Sequence, residues 1–400
     1  IGGRGIARLA LPAHHIGRAH HNGFAGGTGS LFVRDGGGIA GSASATRVAA
    51  TEARGFLDSL QIDDRVQSPG SGPILLGAIP FDSNDPHDFI LPHVSLVKSV
   101  DGRAWVTTVD DAEPNFVTPQ EPAAVAASYT VQPGVSVDHY LEAVKQARDA
   151  VRAGSITKAV IARDIVINAS APIDVYAVLL RLRSSFGSSY RYLVDDFIGA
   201  SPELLVAVDN GAISSHPLAG TAPRTGDPQT DSTLAAKLLS SEKNQIEHRV
   251  VIDMVHDTLL PFCSYLDWQP EPSVMQVANV QHLGTLMQGM LSKPFMHVLD
   301  AAMMLSPTPA LGGFPKHEAL NLINQYEGID RGRYGGAVGW FDQNGNGAFA
   351  VAIRCAQLSS DRTSARLFAG GGIVADSEPA AELAETQAKF QAMLAAIIRP

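Results

Sequence analysis

Only two cysteines, Cys263 and Cys355, occur in 400 residues. That is too few for a disulfide framework, and their spacing fits no metal site. They read as buried apolar thiols in a reducing compartment. Aromatic residues are also scarce, at 6%. No apolar run approaches the ~18 residues that a membrane helix needs. The opening stretch, Ile1 to Ala10, carries glycines and arginines but no signal-peptide core, so a cytoplasmic location is expected. Basic side chains are outnumbered, 30 against 40 acidic, for a net charge of −10. Without a local basic patch, that balance excludes a nucleic-acid partner. No internal repeat sets a solenoid period.

Glycine (38) and proline (24) are in modest excess, which predicts many tight turns. With 45% hydrophobic residues the chain can bury a large core. Its length predicts two or three domains at ~150 residues each. Loop signals cluster at Asn22 to Gly29, Gly36 to Gly41 and Asp63 to Gly72, around strand-like Leu31 to Val33 and Ile74 to Ile79. Asp110 to Pro122 is the best internal boundary. Beyond it, Val137, Tyr140, Leu141, Val144, Ala147 and Val151 recur at helical spacing behind Ser136, a candidate N-cap, and Gly154 ends the run. Lys158 to Asn168 reads as a long strand and Tyr176 to Phe186 as a helix. Asn210-Gly211 predicts a hairpin. Asp231 to Leu260 reads as helical, with an apolar stripe of Ile246, Val250, Met254 and Val255. Ala337 to Phe341 and Ala348 to Cys355 form a second hairpin, and Ala380 to Ile398 a last amphipathic helix. Hairpins with helices in separate blocks predict an α+β fold of mostly antiparallel sheets with helices outside. The glycine-rich Phe368 to Ile373 lacks the dinucleotide and P-loop patterns; its glycines serve either a close approach to a ligand or a bend.

Several residues could carry chemistry. Glu382 and Glu385 share one helix face, just after Glu378 and Pro379. Glu247 lies on an earlier helix beside Glu242, His248 and Asp253. Carboxylates without a Cys/His pattern suit Mg²⁺ rather than zinc, the alternative being a solvated acidic face. Lys158 leads an apolar strand, and is either a strand-end lysine reaching solvent or, in a closed site, a general base. Glu203, after Pro202 and before an apolar strand, is either a salt-bridged turn residue or an acid of raised pKa. His216 to Thr221 reads as a loop whose Gly220 amide and Thr221 hydroxyl could hold an anion. Arg354, read as lying on a strand, calls for a carboxylate partner in the protein or on a ligand.

In order along the chain come Lys158-Ala-Val-Ile-Ala-Arg163, Ser201-Pro-Glu-Leu-Leu205, Pro217-Leu-Ala-Gly-Thr221, Glu242-Lys-Asn-Gln-Ile-Glu-His248 and Val280-Gln-His-Leu-Gly-Thr285. After them stand Pro307-Thr-Pro-Ala-Leu-Gly-Gly-Phe-Pro315, Tyr334-Gly-Gly-Ala-Val-Gly-Trp340, Ala352-Ile-Arg-Cys-Ala356, Phe368-Ala-Gly-Gly-Gly-Ile-Val374 and Glu382-Leu-Ala-Glu-Thr-Gln-Ala-Lys389. Together these stretches resemble the chorismate-utilising enzymes, over about residues 136–395, with a weaker echo in Gly77-Ala-Ile-Pro-Phe-Asp82. The resemblance implies packed antiparallel sheets flanked by helices, with the site between them. Residues 1–130 would complete the sheet framework and 131–400 would bind chorismate, as one integrated unit.

Within the family, water-adding branches resemble this chain in carrying a lysine at Lys158, whereas ammonia-adding branches typically lack it. The Pro309-Ala310-Leu311 stretch looks most like siderophore-type isochorismate synthases. The resemblance therefore implies an isomerase making isochorismate, with salicylate synthase as the alternative and a non-catalytic chorismate-binding protein as a third reading. It implies Lys158 as base, Glu203 as acid and His282 beside the leaving hydroxyl. Gly220, Thr221, Ala310, Leu311, Tyr334, Arg354, Gly370 and Lys389 would bind substrate. Glu247, Glu382 and Glu385 would hold Mg²⁺. No glutaminase subunit and a monomer are expected. Two positions depart from the family pattern: Ser306 stands where a histidine is common, and Asn244 where an acidic residue is common.

Overall fold

The structure, a computed structural model, describes residues 5–6, 8–9, 21–25, 27–43, 45–110, 112–114, 127–277 and 280–399. Most of the expected boundary at Asp110 to Pro122, and most of the opening stretch, lie outside these residues. Two large antiparallel sheets dominate, of twelve and nine strands among the described residues, with a three-stranded sheet beside them. The organising strand is Lys158–Ala169, rich in β-branched residues, which pairs with Ser364–Ile373 over ten positions. Beyond that pair the larger sheet continues through Cys355–Leu358, Phe197–Ser201 and Tyr190–Val194. It then takes in Ser30–Arg34, Gly37–Gly41, Val94–Lys98 and Ala104–Thr108 from the first third of the chain. The second sheet likewise joins Ala337–Asp342 to Ile74–Ile79.

Apolar side chains facing inward from both sheets fuse into one core. Phe32, Trp105, Tyr192 and Phe197 from the larger sheet meet Phe89, Phe341 and Phe349 from the smaller. Phe89 and Phe341 pack edge to face, 4.9 Å between centroids, the arrangement ring quadrupoles favour. The outer face of the larger sheet is covered by helices Val175–Ser185 and Pro379–Ile398, through Val178, Leu182, Phe390, Met393 and Ile397. This is the α+β, mostly antiparallel arrangement expected.

Local signals are realised in detail. The Ser136 side chain accepts from the His139 amide at the start of helix Val137–Arg152, and Gly154 takes φ +75° beyond its end. Asn210 and Gly211 adopt φ of +49° and +88° in the hairpin, as a primed turn requires. Six local expectations are corrected. His21–Ala25 is a short helix, and Gly37–Gly41 is a strand rather than a loop. The helix expected over Asp231 to Leu260 is two helices, Pro228–Ser240 and Glu242–Leu259, because Ser241 caps the second by accepting from the Asn244 amide. Its inner face is Val251, Ile252, Val255 and Leu259, whereas Ile246 is exposed. His216 to Thr221 belongs to two strands, Ala212–His216 and Leu218–Pro223, instead of a loop. Arg354 lies on no strand: Gly347–Val351 ends in the second sheet, Cys355–Leu358 begins in the first, and the chain crosses at Ala352-Ile353-Arg354.

That last correction positions the site. Phe197–Ser201 and Leu204–Asp209 also belong to different sheets, and the chain passes between them at Pro202-Glu203. The two crossings are tied together. The Val351 amide donates to the Glu203 carbonyl, and the Ala200 amide donates to the Arg354 carbonyl, both at 3.1 Å.

Candidate active site

One cavity of about 250 Å³ lies at these crossings, and all the residues expected to act line it: Lys158, Glu203, His282, Gly220, Thr221, Ala310, Leu311, Tyr334, Arg354, Gly370, Lys389, Glu247, Glu382 and Glu385. Its size is at or below the ~300–1,000 Å³ usual for ligand sites, which restricts the occupant to a small molecule. Sequence reasoning gave no role to Pro202, Leu218, Ile353 and Phe368, which are among the other residues of the wall. Phe368 stacks on Tyr334, 5.2 Å between centroids. Its place just before the glycine run was the available signal.

Lys158 is the first residue of the long strand and only 4% exposed, so it does not reach solvent. Its Nζ donates to Glu247 Oε1 at 2.5 Å. The three glycines explain how this fits. A Cβ on Gly372 would stand 2.6 Å from Lys158 Cε and 3.0 Å from Glu247 Oε1, and one on Gly371 2.7 Å from Glu382 Oε2. The run serves close approach within an uninterrupted strand, not a bend.

Glu203 is buried, and burial raises its carboxyl to a pKa of about 8 against the pull of the Leu218 amide, Lys158 and Arg354. It is therefore predominantly protonated at neutral pH. The Leu218 amide donates to its Oε1 at 3.3 Å. His282 is driven the other way, to about 3, by burial and then by the nearby Arg354 and Lys389 cations. The neutral ring donates from Nδ1 to the Gly220 carbonyl at 3.0 Å, which leaves Nε2 to accept from Arg354 Nη2 at 3.2 Å. Gly220 presents that carbonyl from φ +70°. Arg354 holds φ +52°, a conformation costly for a residue with a Cβ. Among the described residues no carboxylate comes within ion-pair distance of its guanidinium.

Lys389 Nζ donates to the Gly370 carbonyl at 2.7 Å and to Glu385 Oε1 at 2.6 Å. Burial pushes Glu385 up, but the Lys389 and Arg354 cations outweigh it and hold the carboxyl below its usual value. Among the described residues, no three His, Cys, Asp or Glu side chains form a preformed metal cage. Glu247, Glu382 and Glu385 nevertheless converge on the one cavity, an all-carboxylate set. Mg²⁺ is commonly held by one or two protein carboxylates with substrate oxygens and water completing the shell, so this donor set fits it. Asn244 also lines the cavity, beside Gly220, whereas Ser306 is buried away from it, its carbonyl accepting from Lys316.

A polar cavity with a buried lysine, a protonated glutamic acid and an arginine paired with no carboxylate is the site of an enzyme for a small anionic metabolite. Residues 39–398 match the chorismate binding enzyme family, and the chain belongs to it. It is 33% identical over 367 residues to isochorismate synthase MenF of Bacillus subtilis, spanning 84% of this chain and 77% of that one. Its fold matches that of the menaquinone-specific isochorismate synthase MenF from Escherichia coli, with a TM-score of 0.85, 21% identity and coverage of 99% and 95% of the two chains. Anthranilate synthase component I from Streptococcus pneumoniae also matches, with a TM-score of 0.69, 22% identity and coverage of 98% and 92%. The same fold thus serves different reactions, and the site has to distinguish them.

Proposed function

We propose that this protein converts chorismate to isochorismate, moving the ring hydroxyl from C4 to C2 with transposition of the ring double bonds. The observation that carries the reading is a buried lysine and a buried, protonated glutamic acid in one cavity. Lys158 takes a proton from the water that attacks C2. Glu203 gives its proton to the departing C4 hydroxyl, so water is added and lost with no net change in composition. Each group supplies about 10²–10⁴ in rate. Arg354, Tyr334, Lys389 and the Gly220 and Gly370 backbone hold the carboxylates, with Thr221, Ala310 and Leu311 shaping the pocket. The lack of an ion-paired carboxylate on Arg354 supports its assignment to the substrate. Neutral His282 orients Arg354 and lies near the leaving group.

Glu247, Glu382 and Glu385 would hold Mg²⁺, which when bound neutralises substrate carboxylate charge. What supports this is the absence of sulfur and imidazole from the donor set. Water being the nucleophile, no glutaminase subunit is needed, and the reading carries with it a cytoplasmic monomer. Among the described residues, no helix is long and apolar enough to cross a membrane.

Chromatography of the products from chorismate alone is the test. Isochorismate is expected. Salicylate with pyruvate would move the assignment to salicylate synthase, a requirement for ammonia to an amine-adding enzyme, and binding without turnover to a non-catalytic protein. Lys158→Ala should lower turnover at least a hundredfold, and activity within about tenfold would overturn the base assignment. EDTA should silence the enzyme and Mg²⁺ restore it; full activity after metal stripping would remove the metal role.

A further inference from the structure

Resting on that reading, we infer that Glu327 and Arg331 are positioning residues of the site, a buried ion pair standing in for a missing length of strand. Strand Lys158–Ala169 is paired along one edge by Ser364–Ile373. Its other edge has two short partners. Gly313–Phe314 lies opposite Ala159 and Lys158, and Tyr129–Pro133 lies opposite Ala169 through Ile165. Between them, among the described residues, Val160 to Arg163 have no strand on that side.

Two side chains fill the gap. Arg331 Nη2 donates to the Val160 carbonyl at 2.7 Å, and the Ala162 amide donates to Glu327 Oε2 at 2.7 Å. Arg331 Nη1 reaches on to the Leu311 carbonyl at 2.8 Å. The pair closes on itself, Nε to Oε1 at 2.6 Å and Nη2 to Oε2 at 2.5 Å. The guanidinium lies 4.2 Å from the Phe81 ring centre and 5.8 Å from that of Tyr334. Both side chains are almost fully enclosed, at 2% and 1% exposure.

Neither residue lines the cavity, yet Val160, Leu311 and Tyr334, which they hold, all do. A buried ion pair is a poor device for stability alone, since desolvation consumes much of its attraction. Its value here is geometric. The rigid fork of an arginine satisfies two carbonyls and a carboxylate at fixed angles, which the single ammonium of a lysine cannot. The junction it fixes joins the strand that starts at Lys158 to the loop that carries Ala310 and Leu311, where the Val160 amide already donates to the Gly312 carbonyl at 3.0 Å.

The test uses Arg331→Lys, with the double variant Glu327→Gln/Arg331→Met as a second form that leaves no charge unpaired. Amide hydrogen exchange and chorismate kinetics are measured on the same preparations. Exchange should accelerate within residues 158–163 and 306–315 while the remaining strands keep wild-type protection. In parallel kcat/KM should fall about 30–100-fold with a raised KM, the scale expected for a misplaced site. Unchanged exchange in those segments with kcat/KM within threefold of wild type would overturn the proposal. So would acceleration spread evenly over both sheets, the result of a purely stabilising pair. Wild-type protein that forms no isochorismate would overturn the functional reading instead, and the exchange pattern then judges the clamp by itself.

Discussion

Glu203 illustrates how environment sets the protonation of an ordinary residue. Its carboxyl, normally near 4.5, is raised to about 8 by burial. Between those values the folded protein holds a proton that the unfolded chain releases. The Glu203 contribution to stability therefore falls as pH rises through this window and levels off above it. In urea unfolding from pH 5 to 9, Glu203→Gln should lack that decline relative to wild type. The variant should also lose about 10²–10⁴ in kcat, because an amide has no proton to give. Wild-type kcat should drop as pH passes about 8, with no limb from His282 near 6.5, since that ring stays neutral down to about 3. A plateau in kcat through pH 9 would remove Glu203 as the acid. The chemical type of each residue was legible in the sequence, and a raised pKa was one of two readings of Glu203, but the choice between them and the fall at His282 were not, because burial depends on what packs around the side chain.

Strands and helices were legible wherever a local signal dominated. Ser136 capped its helix as its type predicts, and Lys158–Ala169 formed the strand its β-branched run demands. Errors fell where a local pattern was interrupted. Ser241 divides one apparent helix into two by using its side chain as a cap, a signal present in the sequence but masked by continuing apolar periodicity. The glycine run was ambiguous alone, since only its neighbours show what a Cβ would strike. Gly372→Ala is the sharpest test at this scale. Alanine suits a strand better than glycine, so the melting temperature should hold within a few degrees. Lys158 and Glu247 must move, and kcat should fall at least tenfold. Wild-type turnover would show that the clearance is incidental.

Across the whole molecule, a chain of net charge −10 must draw in an anionic substrate. Arg354 and Lys389 supply positive charge inside a cavity, where field lines concentrate, while part of the acidity belongs to the cavity itself through Glu247, Glu382 and Glu385. The first third of the chain is bound into the same sheets. Ser30–Arg34 pairs with Tyr190–Val194, and Ile74–Ile79 with Ala337–Asp342. A chain beginning at residue 127 would expose both edges and the inner faces of Phe341 and Tyr192. It should aggregate or lack cooperative unfolding by circular dichroism. A soluble, cooperatively folded 127–400 fragment would show instead that the catalytic region is an independent domain.

The sequence by itself determined the chemistry on offer: which residues carry charge, which runs form strands, where caps and turns fall, and the family resemblance. Those depend on side-chain type and on neighbours a few positions away. Only the tertiary structure decided that Glu203 and Arg354 stand at paired crossings between sheets, and that Lys158 meets Glu247 from a separate helix. Nor did any periodicity mark Glu327 and Arg331 as occupants of a gap in a strand edge. Such convergence arises when two apolar sheet faces close on each other, and burial in that closed interior sets both geometry and protonation.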